Sequence, residues 1–311
     1  NATKIIKLDL SGSSRMSRLI LGNNKYLREL NCSGSVQLGT ANGGQVLDLT
    51  GCKNIQKLDI TNTKIVTVNF AEGSNLQTAI LSKSSIKNLY FKSLEFLTEV
   101  NIDGCNSITE YIIDSCSAIK NVSLSGSPVV IFNAINCKNL QSVDVSNCKV
   151  LETFELTNCP NIYQLLMSNN NGSMMNDLHL YTLYKLKKLD VSNSTSLKNI
   201  RLPKYISQDE ANRVAALKAN NPNLTDEECN AQLWNVLETL NIRSSSIISI
   251  QYGSAEIAES DRKCDMKQLS KLSSISFQNC TSIKAIENIN YVTSNIDALF
   301  DGCNSLQRVT G

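Results

Sequence analysis

The chain has 311 residues, a net charge of +2, 41% hydrophobic residues and 19% charged residues, a composition typical of a folded protein. Such a small net charge, without a stripe of Lys and Arg, argues against a nucleic-acid partner. No apolar run approaches the ~20 residues of a membrane helix, so we expect no membrane insertion.

From near its first residue, the chain repeats the pattern apolar-x-x-apolar-x-apolar. The first copies begin at Ile5, Met16 and Leu27, and an irregular loop at residues 33–44 precedes the next copies. Neighbouring copies are 10 or 11 residues apart, with first positions at Ile55, Ile65, Leu76, Ile86, Leu97, Ile108, Ile119, Val129, Leu140, Leu151 and Ile162. Such a short, sustained period predicts a repeat architecture.

Each copy has the chemistry of a β-strand, because alternate side chains of a strand point to opposite faces and Val, Ile and Phe favour this conformation. Two copies make one coil of ~21–22 residues, within the range of leucine-rich repeats. Neighbouring coils stack and share one apolar core. Residues 1–202 are therefore predicted to form a leucine-rich-repeat-like β-solenoid whose successive strands alternate between two sides.

Cysteine falls into the same register. Six cysteines follow an apolar triad by three residues, namely Cys105, Cys116, Cys137, Cys148, Cys159 and Cys280. In leucine-rich repeats this position holds a small side chain that turns inward at a corner. The odd total of 11 cysteines also argues against a disulfide framework, so we predict buried, reduced thiols.

Two insertions interrupt the repeats. Residues 203–236 predict a helical hairpin, with an N-cap at Ser207 and a capping box at residues 225–228. The single Trp, Trp234, either packs the hairpin against the solenoid or forms an exposed anchor for a partner. Repeats resume over residues 237–311, where a polar insertion at 253–271, which contains Arg262, predicts a solvated loop or short helix.

Parts of the chain resemble a known group of repeats. The segments Val143–Cys148 and Leu189–Asn193 resemble leucine-rich repeats of Bacteroidetes surface proteins and of the phages that infect these bacteria. The C-terminal stretches at 272–283 and 300–306 are similar to the BspA-like type. The resemblance implies adhesion or partner binding without fixed site residues, on a bacterial surface, in secreted form or on a virion.

The sequence offers little for catalysis. His179 is the only histidine and C-x-x-C is absent, so a zinc site has no support. Glycine motifs that cradle phosphates are also absent. Asp59, Asp144 and Asp190 recur at one repeat position and predict a structural surface ladder. We therefore expect no catalytic residue, no metal and no cofactor, and a protein that is not an enzyme.

The outward positions between the inward apolar residues give the one signal for a site. On one side these positions are mostly polar: Asp9, Asn31, Asp59, Ile80, Asn101, Ser123, Asp144, Leu166 and Asp190. On the other side they are Ile20, Asp48, Asn69, Tyr90, Ile112, Asn133, Glu155, His179 and Arg201. Tyr90, Ile112 and the nearby Ile131 form an apolar cluster that grades into Glu155, His179 and Arg201, which is typical of a recognition surface.

Two functional hypotheses follow from this surface. The first is a recognition or adhesion module that binds a protein or glycan, on a bacterial surface or a phage appendage. The second is a structural component of a larger assembly, such as a phage virion, that contacts other subunits.

Overall fold

The computed structural model describes residues 4–172, 175–203, 208–223, 237–252, 258, 262–269, 272–292 and 300–311. The chain divides into two compact units. Unit 1 comprises residues 1–141 and 150–159, and unit 2 comprises residues 142–149 and 160–311.

The apolar triads form short strands. The first twelve are β1 Lys7–Asp9, β2 Glu29–Asn31, β3 Val46–Leu49, β4 Lys57–Asp59, β5 Thr67–Phe70, β6 Thr78–Ile80, β7 Asn88–Lys92, β8 Glu99–Asn101, β9 Glu110–Asp114, β10 Asn121–Ser123, β11 Ile131–Ile135 and β12 Ser142–Asp144. The others are β13 Thr153–Thr157, β14 Gln164–Leu166, β15 Asp177–His179, β16 Lys188–Asp190, β17 Asn199–Leu202, β18 Thr239–Asn241, β19 Ser249–Tyr252, β20 Cys264–Asp265, β21 Ser274–Ser276, β22 Ala285–Glu287 and β23 Arg308–Val309.

Strands from successive coils pair in parallel, on alternating sides as predicted. In unit 1 one sheet has the order β1-β2-β4-β6-β8 and the other β3-β5-β7-β9-β11-β13, while in unit 2 the orders are β12-β14-β16-β18-β21 and β15-β17-β19-β20-β22-β23. The described residues form about 12 coils that are ~22 residues apart. The fold is therefore a leucine-rich-repeat-like parallel β-solenoid, which confirms the predicted class.

Asparagine and cysteine shape the corners of the coils. Asn can adopt the left-handed backbone conformation at little cost, and it does so at Asn62, Asn136, Asn147, Asn158, Asn169, Asn193, Asn279 and Asn288. The ten described cysteines are free and buried. Several corner thiols lie against the backbone of the preceding coil, as Cys116 Sγ does 3.7 Å from the carbonyl oxygen of Phe91. The predicted inward position of the corner cysteines is confirmed.

Burial of the thiols predicts a loss of stability at alkaline pH. Burial raises the pKa of Cys116 from the ordinary 9.0 to about 12. A raised folded-state pKa favours the neutral thiol, so its stabilisation is complete below pH 9 and is lost as the pH rises towards 12. The free energy of unfolding, measured with urea across this pH range, should therefore fall with rising pH in the wild type. We expect this fall to be smaller in Cys116→Ala by an amount on the order of 2 kcal/mol.

The comparison of the two proteins isolates the thiol, because other groups that titrate above pH 9 are common to both. The alanine variant is expected to be the less stable protein at pH 7, since it leaves a cavity. If the free energy of unfolding falls equally with pH in the two proteins, the pKa of Cys116 is not raised by folding and the prediction is wrong.

The first insertion contains a helix where the sequence predicts one. Helix α1 spans Gln208–Asn220 and carries Lys218 in its last turn, where a cation complements the helix dipole. The predicted N-cap Ser207, the second helix and Trp234 lie outside the described residues. The polar insertion at 253–271 is described at 258 and 262–269, where strand β20 and the buried Cys264 form a further repeat instead of the predicted solvated loop or short helix. A one-turn 3-10 helix at Ile289–Tyr291 follows β22. The domain boundaries at 202 and 236 stay predictions.

One predicted repeat is not a strand. Residues 16–21 have no regular structure, and Ile20 is 72% exposed. The irregular loop at 33–44 takes the place of a pairing strand, since Gly39 N–H donates to the carbonyl oxygen of Ser17 at 3.0 Å. The same loop inserts Leu38 into the core, where it is fully buried.

Candidate functional site

The polar outward positions cap the strands. In unit 1 the side-chain oxygen Oδ1 of Asp59 accepts a hydrogen bond from the backbone N–H of Thr61 at 2.9 Å. In unit 2, Asp144 and Asp190 make the same contact two residues onward, at 2.9 and 3.0 Å. These bonds satisfy the backbone at each turn. The predicted structural role of these aspartates is confirmed, because their carboxylates accept hydrogen bonds from the backbone of the adjoining turns.

The other outward row of unit 1 carries the predicted apolar cluster. Tyr90 pairs in register with Ile112, and Ile112 with Asn133. Asn133 pairs in turn with Glu155. The structure therefore aligns these four positions on neighbouring strands, roughly 4.8 Å apart. We call the outward surface of strands β7, β9, β11 and β13 the Tyr90 face.

Isoleucine forms the centre of the Tyr90 face. Ile112, Ile131 and Ile135 are half-buried and point outward, while Tyr90 is 45% exposed. Ile131 lies between Glu110 and Thr153 in the register. Ile135 was not predicted from the sequence, although the alternation of β11 continues to this residue and could have revealed it.

Acidic side chains surround this centre. The hydroxyl of Tyr90 donates a hydrogen bond to the carboxylate of Glu110, which raises the pKa of Tyr90. Asp114 accepts hydrogen bonds from Ser115 at 2.9 Å and from Asn136 at 3.3 Å, and Glu155 is exposed. The Tyr90 face thus combines an aliphatic centre with a charged edge in which acids outnumber bases, since Lys92 aligns with Asp114 on the neighbouring strand.

An aromatic ladder supports the Tyr90 face from inside. It consists of one inward ring on each successive strand of this sheet, in the order Phe70, Phe91, Tyr111, Phe132 and Phe154, with ring centroids 5.2–6.1 Å apart. Three of these rings, on β7, β9 and β11, are almost completely buried. Rings at such spacing attract one another beyond their burial, so the platform under the face is closely packed.

His179 and Arg201 belong to unit 2. They pair with each other in register, and Arg201 pairs with Gln251. His179 is exposed and lies 5.9 Å from the ring of Tyr181, whereas Arg201 is half-buried. Beside them, Asn199 donates to Asp177 and accepts from Ser249, both at 2.7 Å. This part of the predicted recognition surface is therefore polar.

Unit 2 contains a basic cavity that was not predicted from the sequence. It has a volume of about 950 Å³ and is lined by Ile248, Arg262, Lys263, Thr281, Ser282, Lys284, Ala285, Ser305, Gln307 and Arg308. Arg262, which the sequence places in a solvated loop, is half-buried here. The sequence does contain a signal for this cavity, because a basic residue occurs near the same repeat position in three successive coils. The small net charge of the whole chain conceals this local cluster.

Comparisons with known proteins add little to this geometry. No protein-family model and no curated protein matches the chain. Among solved structures, a chain of a plant peptide hormone receptor, RGFR1 in complex with RGF2, aligns at a TM-score of 0.24 and 14% identity. The alignment covers 92% of this chain and 58% of the receptor chain, so this chain spans less than two thirds of that protein.

A leucine-rich-repeat-like solenoid is typical of protein-binding modules and typically not of enzymes. Among the described residues, no group of three His, Cys, Asp or Glu side chains is arranged to hold a metal ion. Within the same residues, no helix is both long and apolar enough to cross a bilayer.

Proposed function

We propose that the chain is a non-enzymatic recognition module that binds a protein partner through the Tyr90 face. The observation that supports this most is the outward cluster of Ile112, Ile131 and Ile135 on β9 and β11, beside an exposed Tyr90. The corresponding outward positions of the other sheet in unit 1 are mostly polar side chains that cap turns. Apolar residues on an open sheet face contribute to binding when a partner covers them.

The composition of the face favours a protein over a glycan. The core of a protein interface is apolar, depleted in charge and rich in aromatic residues, and its rim is polar. The Tyr90 face has this layout, with Glu110, Asp114 and Glu155 at its edge. We therefore expect a partner with an apolar patch bordered by Lys or Arg, because opposite charges at the rim speed and orient association.

The biological setting stays a prediction. The resemblance to BspA-like repeats and to repeats of bacterial surface and phage proteins favours adhesion at a bacterial surface or on a phage appendage. A structural role in an assembly such as a virion is the alternative, and in that case the Tyr90 face would contact other subunits.

Charge substitution at the centre of the face tests the proposal. We expect Ile112→Lys to weaken binding to a protein partner by about 30-fold, because a buried contact of this kind contributes about 2 kcal/mol. The measurement is biolayer interferometry against arrays of purified bacterial surface proteins and of glycans. Ser123→Lys is the matched control, since Ser123 is an exposed outward residue of β10 in the other row.

The proposal requires a protein that binds the wild type and Ser123→Lys equally well and binds Ile112→Lys about 30-fold more weakly. Glycan binding alone, or protein binding that Ile112→Lys leaves unchanged, would exclude the Tyr90 face as the protein-binding site. Light scattering on the three proteins separates the assembly role, because a multimer that Ile112→Lys converts to a monomer would identify the face as a subunit contact.

A further inference from the structure

The basic cavity of unit 2 lies where three successive coils begin their strands. Cys264 pairs with Ile286, and Ile286 with Val309, in parallel register. One residue earlier, Lys263, Ala285 and Arg308 therefore form a row. The small side chain of Ala285, between two long cations, leaves the floor of the cavity open.

A second row lies one further residue back along the strands. It contains Arg262, Lys284 and Gln307, and the backbone binds the last two together, since Gln307 N–H donates to the carbonyl oxygen of Lys284 at 2.9 Å. Hydroxyl groups of Thr281, Ser282 and Ser305 in the preceding turns complete the lining. Four of the lining residues are cations and none is an acid.

Part of this positive charge is already compensated. Glu287 forms ion pairs with Lys263 at 2.5 Å and with Arg308 at 2.6 Å. Among the described residues, Arg262 and Lys284 have no ion-pair partner. The glutamate thus offsets part of the charge of two cations at one side of the cavity, and two further cations are left for a ligand.

We propose that this cavity binds a doubly charged tetrahedral oxyanion, which is either free phosphate or sulfate or the phosphate group of a larger molecule. Arg guanidinium groups bind such oxygens through two parallel hydrogen bonds, and Lys adds a point charge. Hydroxyl and amide donors satisfy the remaining oxygens. The volume of the cavity falls within the usual range for small ligands, and no aromatic ring lines it for stacking. The proposal concerns other residues than the Tyr90 face and does not depend on it.

The probes are inorganic phosphate and inorganic sulfate, titrated into the full chain at pH 7 and low ionic strength by isothermal calorimetry. We expect saturable binding at one site, about tenfold weaker in Lys284→Gln and unchanged in Lys188→Gln. Lys188 is the matched control, because it is an exposed lysine at the start of β16 in the same unit. Glu287→Gln is expected to bind several-fold more tightly, since it removes a competing negative charge.

Several outcomes would overturn the proposal. These are the lack of saturable binding, equal affinity of Lys284→Gln and the wild type, and acetate binding as tightly as sulfate. A weaker-binding Glu287→Gln would also contradict it. Glucose 6-phosphate then distinguishes the source of the group: tighter binding than inorganic phosphate indicates a phosphate ester on a larger molecule, and equal binding indicates the free ion.

Discussion

Replacing Phe132 with alanine is expected to lower the free energy of unfolding by about 3–5 kcal/mol, the usual cost of removing a fully buried ring. Phe132 is completely buried. Its ring centroid lies 5.9 Å from that of Tyr111 and 5.6 Å from that of Phe154. The truncation therefore removes two aromatic contacts as well as the buried area. Urea denaturation followed by circular dichroism measures the loss.

The matched control is Phe96→Ala. Phe96 is 54% exposed and precedes β8 at a corner, so its truncation should change stability by less than about 1 kcal/mol. Similar losses in the two variants would mean that the ladder contributes no more than a surface ring does.

The aromatic ladder also connects stability with the proposed function. Phe132 points inward from β11, the strand whose outward residues include Ile131 and Ile135. Because alternate residues of one strand occupy its two faces, the same short segment builds both the core and the Tyr90 face. A rigid platform reduces the entropy that a binding surface loses on association. We thus expect the face to be formed before any partner arrives.

The fold could be predicted from the sequence because two signals with different physical origins agree. The triad spacing defines the inward residues, and shifting a strand by one residue would expose them all. At the ends of strands, Asp59 and its equivalents accept a backbone N–H, which requires an oxygen at that position. The registers of Tyr90 with Ile112 and of His179 with Arg201 follow from this pattern alone.

Other features depend on contacts that the pattern does not contain. Met16 begins an apolar triad, yet the backbone at Ser17 bonds to Gly39 in the irregular loop and forms no strand. Arg262 and Lys284 are near neighbours only because the coils stack, and the nearly neutral composition hides them. A repeat pattern thus predicts which residues align on neighbouring strands. It does not predict where a loop bonds in place of a strand, or which charged side chains the stacking of coils brings together.

The second large effect is expected at Gly39 in this loop. Its φ of +107° lies in the left-handed region that favours glycine, and an added Cβ would lie 2.2 Å from the carbonyl oxygen of Lys64. Gly39→Ala is expected to cost about 3 kcal/mol or more, because backbone strain and steric overlap add. The surrounding backbone cannot easily move, since Lys64 N–H donates to the carbonyl oxygen of the buried Leu38 at 2.7 Å.

Gly73→Ala separates strain from overlap, because Gly73 has a φ of +64° but no atom within 4 Å of the added Cβ. This variant should lose about 1 kcal/mol, the cost of the left-handed conformation alone. The free energy of unfolding of both variants is measured with urea. Equal losses would show that the loop at 33–44 moves to accommodate the added methyl group. A much larger loss of unfolding free energy for Gly39→Ala would show that this loop is as closely packed as a regular coil.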